Sequence, residues 1–542
     1  MTALAERLVA GLKQRGTRHV FGVPGGGSSL DLIEACGRQG VEFVLTRGET
    51  SAVLMAACSG ELSGAPGAAL VGVGPGAAAA VNGMAYAALE RSPLVLFADR
   101  IEPPPVRPTW HQVYDQPASF APVSKAARWI RPDTDGTEIA DLLDLPTAEP
   151  QGPVHLDIVA AEASVDAPPV PHRPAPAPEP AAGASVSPAL PEGLRARVHG
   201  AWKPVFIVGL QARHLGDETR ALARALGAAC LTTYKAKGTI SDHDPLLVAQ
   251  FTGGTAEASV LAAADLIVML GHDPIEMIPG IWTHAAPVVA LSTWDWAAAG
   301  GYPVPEMIAV GALRPMLADL MPSAPQPGWD REELARLRTA YRARIAYPTV
   351  AGISPDFLID SLQQFGGGQI DGKPARLAVD AGAHMFPTLA RWMADAPLGV
   401  LKSNGLSTMG FALPAAIASA LHEPDRPAVA VTGDGGMMMC LGELATAVER
   451  KLDVTVVVLN DAMLSLIDVK QRKQQRPHAG VASRTVDFAA IAQAMGAYGT
   501  TVREVSQVQP ALAAAARMSG PRLIDVHIDP SGYDAQLDAM RG

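Results

Sequence analysis

Two carboxylates set at a fixed interval near the end of the chain are the residues best suited to chemistry. A run of small and β-branched residues, Ala428–Thr432, leads into Gly433-Asp434-Gly435-Gly436, and a second run, Val454–Leu459, leads into Asn460-Asp461, with 24 residues between Gly435 and Asn460. Both runs read as buried strands with a helix between them. Asp434 and Asp461 then leave the carboxyl ends of two strands, where open α/β sheets bind ligands. Glycine lets a backbone approach phosphate oxygens, and a helix N-terminus favours anions. Carboxylate oxygens are hard ligands, suited to Mg²⁺ or Ca²⁺. The pattern is that of a metal–diphosphate site. The helix after the turn is expected to lay Leu441, Leu444, Ala445 and Val448 on the sheet.

Five further segments strengthen this reading by their order along the chain. They are Phe21–Gly27 (FGVPGGG), Arg47-Gly48-Glu49, Gly74-Pro75-Gly76 with Val81-Asn82-Gly83, Asp380–His384 (DAGAH), and Lys402–Ala415 (KSNGLSTMGFALPA). Together with the Gly-Asp-Gly turn, they resemble the thiamine-diphosphate-dependent enzymes of the acetolactate-synthase-like branch over nearly the whole chain. Taken singly, each has a plainer explanation. A glutamate after a strand is usually solvated, a methionine in an apolar run is usually core, and Gly-Asp-Gly is usually a turn. The matches in sequence order outweigh those readings.

The resemblance implies thiamine diphosphate and Mg²⁺ as cofactors and assigns roles residue by residue. Glu49 would hydrogen-bond the pyrimidine N1′ and favour the imino tautomer, a proton-sharing task suited to a buried carboxyl. Gly25, Gly26 and Gly76 would belong to the same cofactor-binding set. Met409 would wedge the two cofactor rings into a V, as a pliable apolar side chain can. The carbonyl of Ser407 would accept from the 4′-amino group, at a position where the family usually has glycine. Ala381, Gly382, Ala383, His384, Gly433, Gly435 and Gly436 would surround the diphosphate, with Leu464, Ser465 and Leu466 in the same site. Asp434, Asp461 and the backbone of Met463 would ligate the metal. The family more often has Asn where Asp461 stands, so aspartate adds a negative charge. The resemblance also implies a homodimer or homotetramer with active sites at the subunit interface.

The reaction is set by groups around the bound carbonyl, and here the chain departs from the family. In Trp110–Asp115 (WHQVYD), Gln112 matches, but His111 stands where acetolactate synthases have a pocket-lining Phe. His111 is either a general acid/base, since imidazole titrates near working pH, or a structural histidine. Gln112 is placed with it in the catalytic set. Lys470 replaces the Trp that shapes the acceptor pocket of branched-chain biosynthetic synthases. Gly271–Met277 (GHDPIEM) stands where those enzymes carry GxRFDDR, so a dedicated biosynthetic synthase and bound flavin (FAD) are not expected. Lys470, Arg472, Lys473 and Arg476 form a basic run that is either a solvated helix face or a receiver for a carboxylate, phosphate or coenzyme A group. The expected function is that of an acetolactate-synthase-like lyase or carboligase acting on a 2-keto acid or a related 2-hydroxy carbonyl compound. A 2-keto acid decarboxylase and a 2-hydroxyacyl-coenzyme A lyase are alternatives, and a non-catalytic cofactor-binding homologue is an alternative of another class. Glu49 argues against the last.

These residues need a scaffold of parallel sheets. Nearly continuous apolar runs at His19–Val23, Ala69–Val73, Leu94–Ala98, Val154–Val159, Val205–Val208, Leu266–Leu270 and Val288–Leu291 join the two already named, mostly separated by helical segments. That alternation predicts α/β structure with three open parallel-sheet domains: a pyrimidine-binding domain over 1–165, a central domain over 190–345 and a diphosphate-binding domain over 353–542. The Pro- and Ala-rich segment Ala163–Pro191 reads as an extended linker. A length of 542 residues, 48% hydrophobic and 18% charged, suits several packed cores. A net charge of −11 argues against nucleic-acid or anionic-membrane partners. Leu62–Leu89 carries no charge, yet its Ala, Gly and two prolines suit a strand, a turn and a tightly packed helix better than a membrane span. Cys36, Cys58, Cys230 and Cys440 show no paired spacing, which points to a reducing cytoplasm.

Overall fold

The apolar runs become buried strands because each meets helices on both sides, and together they build three six-stranded sheets in which all paired neighbours are parallel. The computed structural model describes residues 2–102, 111–171, 190–278, 281–298, 300–365 and 374–541. His19–Val23 and Leu266–Leu270 keep their expected bounds, whereas the strand expected at Ala69–Val73 runs over Gly67–Val71.

The first and third domains share one strand order. In the first, it runs Glu42–Leu45, His19–Val23, Gly67–Val71, Leu94–Arg100, Pro153–Val159, Ala126–Trp129. In the third, it runs Val400–Lys402, Arg376–Val379, Ala428–Gly433, Val454–Asn460, Arg522–His527, Tyr498–Val502. The middle sheet instead begins at its centre with Pro204–Val208 and grows outward in both directions, from Leu247–Gln250 at one edge to Met307–Val310 at the other. In the third domain the chain reverses direction across the sheet between Arg376–Val379 and Ala428–Gly433. Open sheets bind ligands outside such a switch point.

The uncharged stretch Leu62–Leu89 contains a fully buried strand, Gly67–Val71, and the helix Pro75–Leu89, with Pro75 in its first turn. This helix lies against Glu49–Ser63 closely enough that a Cβ on Gly83 would come within 2.5 Å of Val53. No helix among the described residues is long and apolar enough to cross a membrane.

Two apolar cores join domains rather than separate them. One runs from Phe21, Leu54 and Leu96 of the first domain to Leu413, Ile417 and Val456 of the third. The Tyr86 and Phe411 rings meet there with centroids 5.1 Å apart. The other joins Val205 and Trp296 of the middle domain to Leu377 and Ile524 of the third. The start of the segment read as linker is packed. Ala163 and Ala167 are buried, and Asp166–Ala167 pairs antiparallel with Thr2–Ala3. Most of the rest of that segment, 172–189, lies outside the described residues.

The helix expected after the Gly-Asp-Gly turn is broken in two, Asp434–Cys440 and Glu443–Glu449. Gly442 falls in the break, where Arg47 of the first domain presses in. A Cβ on Gly442 would stand 3.2 Å from the Arg47 Cβ. The break rotates the second piece, so Leu444 and Ala447 are buried while Leu441, Ala445 and Val448 are only partly so.

Candidate active site in the third domain

A cavity of about 260 Å³ opens at the switch point of the third sheet. Three strand ends and one long loop wall it. After Arg376–Val379 come Ala381, Gly382, Ala383 and His384; after Ala428–Gly433 come Asp434, Gly435 and Gly436 beside Gly433 itself. After Val454–Asn460 come Asp461, Met463, Leu464, Ser465 and Leu466, and the loop that follows Val400–Lys402 adds Ser407 and Met409. Leu459, Ile467 and Tyr533 complete the wall.

The carboxylates behave as a pair kept from water. Burial raises the Asp434 carboxyl above the ordinary range. Burial likewise pushes Asp461 up to about 6, and the charge of Asp434 adds to the effect. Asp461 accepts from the Ser465 hydroxyl and from Met463 N–H (3.2 Å), and Asp434 accepts weakly from the Ser483 hydroxyl (3.4 Å). Ala462, between Asp461 and Met463, sits at φ +54°, a left-handed backbone that costs a non-glycine residue about 1–2 kcal/mol. The strain is held by a short ladder: Ser483 N–H donates to the Ala462 carbonyl and Leu464 N–H to the Val481 carbonyl, both at 2.8 Å. Ser407 is held at φ +56° in the facing loop. Strain at one lining residue, Ser407, and at Ala462 between two others is what a site that must aim its backbone carbonyls would show.

His384 is buried, and burial pulls its imidazole down to about 4, so it is neutral near pH 7. Its Nε2 finds no hydrogen-bond partner among the described residues. A buried orphan of this kind in a ligand cavity fits a bound polar group. Two carboxylates in the same cavity, buried Asp434 and half-buried Asp461, fit a hard cation, and the turn before the helix admits oxygens close to the backbone. The residues present therefore fit a metal-bound diphosphate.

Asp380 organises this cradle, and its role was hidden in the sequence because the short strand before it carries no strong signal. Its Oδ1 accepts from Ala381 N–H (2.9 Å) and Phe411 N–H (3.2 Å). Its Oδ2 accepts from Gly410 N–H (3.0 Å) and the Thr432 hydroxyl (2.9 Å). One side chain thus ties its own loop, the Met409 loop and the end of the strand Ala428–Gly433 together. Gly436 must lack a side chain for this to happen, since a Cβ there would stand 2.4 Å from Asp380 Oδ2.

The remaining expected site residues gather in the first domain and do not line the cavity. Glu49 opens the helix Glu49–Ser63, and a Cβ on Gly76 would stand 3.5 Å from its Oε1. Gly25 lies beneath the same loops, against Asp99 and Gly72, and Gly26 has open space beside its backbone. Gln112, at φ +63°, covers Gly74, where a Cβ would meet the Gln112 carbonyl at 2.5 Å. His111 and Gln112 are both exposed, and Trp110 lies outside the described residues. One chain therefore presents two groups of site residues, one in each terminal domain.

Two of the four residues of the basic run are committed. Arg472 pairs with Asp468 and Asp534, and Lys473 with Asp538, binding the helix Ser465–Lys473 to the last helix, Tyr533–Arg541. Lys470 and Arg476 are exposed, with no ion pair among the described residues. The pairs Arg472–Asp534 and Lys473–Asp538 and the wall residue Tyr533 left no mark in the sequence, because they join segments about 60–70 residues apart, whereas Arg472–Asp468 is an ordinary i,i+4 pair.

Comparison with known proteins agrees with this geometry. Three models match in order: the N-terminal TPP binding domain of the thiamine pyrophosphate enzymes over residues 2–118, their central domain over 192–319, and their C-terminal TPP binding domain over 380–526. A catabolic acetolactate synthase of Raoultella terrigena is 28% identical, over 97% of this chain and 95% of its own. An acetolactate synthase of Bacillus subtilis is 26% identical over 97% and 93%. A probable 2-ketoarginine decarboxylase of Pseudomonas aeruginosa is 28% identical over 96% and 93%. The three α/β sheets, the cradle at the switch point and the three matched domains together make this chain a member of the thiamine pyrophosphate enzymes, acetolactate-synthase-like in its sequence.

Proposed function

We propose that the chain is a Mg²⁺- and thiamine-diphosphate-dependent lyase or carboligase that acts on a 2-keto acid. The observation that carries this reading is the cavity itself. The buried Asp434 and half-buried Asp461, the unpartnered Nε2 of His384 and the strained Ser407 beside Met409 face one space of about 260 Å³. Bound there, the cofactor supplies a nucleophilic carbon and an electron sink. Asp434, Asp461 and the Met463 carbonyl would hold the metal, and His384 with the backbone of Gly435 and Gly436 would hold the diphosphate. The Ser407 carbonyl would accept from the amino group of the pyrimidine, Met409 would support the bend, and Glu49 would hold a proton at N1′. The apolar wall of Leu459, Leu466 and Tyr533 would limit water on one side of the reacting atoms.

Glu49 stands in the other group of site residues, so the reading includes a homodimer at least, in which a second copy brings its first domain to this cavity. The exposed apolar side chains Met438, Met439, Leu464 and Ile467, on the elements that wall the cavity, support such a covering. All four cysteines are buried and unpaired, which supports a reducing compartment such as the cytoplasm. The similarity to a probable 2-ketoarginine decarboxylase favours, as a second reading, simple decarboxylation of a 2-keto acid. Incubation with thiamine diphosphate, Mg²⁺ and pyruvate, following carbon dioxide and acetolactate together, tests both. Acetolactate above a Glu49→Gln control supports the carboligase, carbon dioxide with free aldehyde supports the decarboxylase, and neither product on a panel of 2-keto acids would sink both.

A further inference from the structure

The loop that carries Ser407 and Met409 is fastened from outside its own domain. Glu90, just past the helix Pro75–Leu89 of the first domain, is 1% exposed. Its Oε1 accepts from Gly405 N–H (2.8 Å), Leu406 N–H (3.3 Å) and the Ser403 hydroxyl (3.2 Å). The Ser403 oxygen in turn accepts from Thr408 N–H (3.0 Å). This relay therefore grips the chain on both sides of Ser407, whose left-handed backbone has no glycine to relax it. The other Glu90 oxygen lies 3.4 Å from Lys235 Nζ of the middle domain, which also binds Glu61 at 2.8 Å. A buried carboxylate is costly to keep unless it is paired and hydrogen-bonded, and here both conditions are met. No residue of this relay lines the cavity.

We propose that Glu90 is a positioning residue that, through Ser403, fixes the Ser407–Met409 segment for the pyrimidine half of the cofactor. The diphosphate half would be held by other segments, those that follow the strands Arg376–Val379 and Ala428–Gly433, to which Glu90 makes no hydrogen bond. The proposal rests on the reading that the cavity takes thiamine diphosphate. It separates the two halves of that ligand: loss of Glu90 weakens the grip on the organic half and leaves the grip on the diphosphate.

Calorimetric titration with thiamine diphosphate and, separately, with inorganic pyrophosphate, both with excess Mg²⁺, tests it. Glu90→Gln keeps the shape but turns an amide toward donors or toward Lys235, and Glu90→Asp keeps the charge. Ser403→Ala removes only the relay and leaves the Lys235 contact intact, so it serves if Glu90→Gln fails to fold. Thiamine diphosphate should bind Glu90→Gln at least about tenfold more weakly, equivalent to about 1.4 kcal/mol, with pyrophosphate unchanged within about twofold. Ser403→Ala should show the same selectivity, and Glu90→Asp should recover part of the loss. A parallel fall for both ligands, or no change for either, would overturn the proposal. A wild-type protein that binds neither ligand would instead sink the cofactor reading.

Discussion

Asp380→Asn tests whether one buried carboxylate sets the distance between the diphosphate cradle and the Met409 loop. The aspartate has four donors, two on each oxygen. An asparagine keeps one oxygen, and its best orientation leaves that oxygen on Ala381 and Phe411. The amide nitrogen then faces Gly410 N–H and the Thr432 hydroxyl. Thr432 can turn to accept, but the Gly410 N–H cannot. One buried N–H left unpaired costs about 1–3 kcal/mol, and each charge-assisted bond made neutral gives up roughly 1 kcal/mol. Burial already works against the charge, holding this carboxyl up at about 6, so the substitution recovers part of the loss. The net cost is about 2–3 kcal/mol. It falls on bonds between loops rather than within the sheet, so it should appear mainly in ligand affinity. The Kd of thiamine diphosphate, measured by calorimetry in excess Mg²⁺, should rise about 30- to 100-fold. A Kd within about threefold of wild type, with an unchanged melting temperature, would refute the reasoning and show that the loops hold their own spacing.

Three further outcomes follow from the same geometry. Glu49→Gln should bind the cofactor almost as well as wild type yet turn over at least about 100-fold more slowly, the usual worth of a positioned proton-transfer group; undiminished kcat would remove Glu49 from the chemistry. Asp434→Asn should raise the Mg²⁺ concentration needed for half-maximal cofactor binding by about tenfold or more, because it removes a charge from the ligand set. His272 is wholly buried against Phe251 and Trp296, and burial pulls its imidazole from 6.5 to about 4. Between those values the unfolded chain binds the extra proton, so stability falls as pH drops through the window, by about 3 kcal/mol for this one group. Thermal melts from pH 6.5 to 4 should therefore show wild type losing more than His272→Gln; equal losses would remove His272 from the acid response.

The sequence revealed those parts of the fold whose physics is local. Val454–Asn460 and Ala428–Gly433 are buried at every position, so their composition alone marks them as central strands. Edge strands are harder to see. Glu42–Leu45 and Ala126–Trp129 are largely uncovered and carry charged residues, and Tyr498–Val502 reads as a polar turn. Because Arg376–Val379 is only four residues long, Asp380 looked like part of a loop motif rather than an acid at a strand end. The cavity gathers residues from within one domain, where strand order brings neighbouring loops together. The separation of Glu49 from Asp434 depends on how whole domains dock, and no short-range pattern encodes that. Nor could charge spacing show that Arg472 and Lys473 serve Asp534 and Asp538 rather than a ligand.

The core shared by the first and third domains also shapes how the chain is made. The helix Glu49–Ser63 packs on Ala412–His422, and at about 5–20 residues per second roughly 350 residues must be synthesised between them, a delay of roughly 20–70 seconds. For that interval the nascent first domain shows the ribosome's surroundings a face meant for a partner not yet built. The core left open holds Leu54 and Tyr86 of the first domain beside the smaller Ala52, Ala56 and Ala57, and Phe411 and Leu413 arrive later to complete it. Until then the ring of Tyr86 lacks the Phe411 ring it meets in the finished chain, so the first domain waits with part of its apolar cover missing, the condition under which a newly made domain is most open to unwanted association.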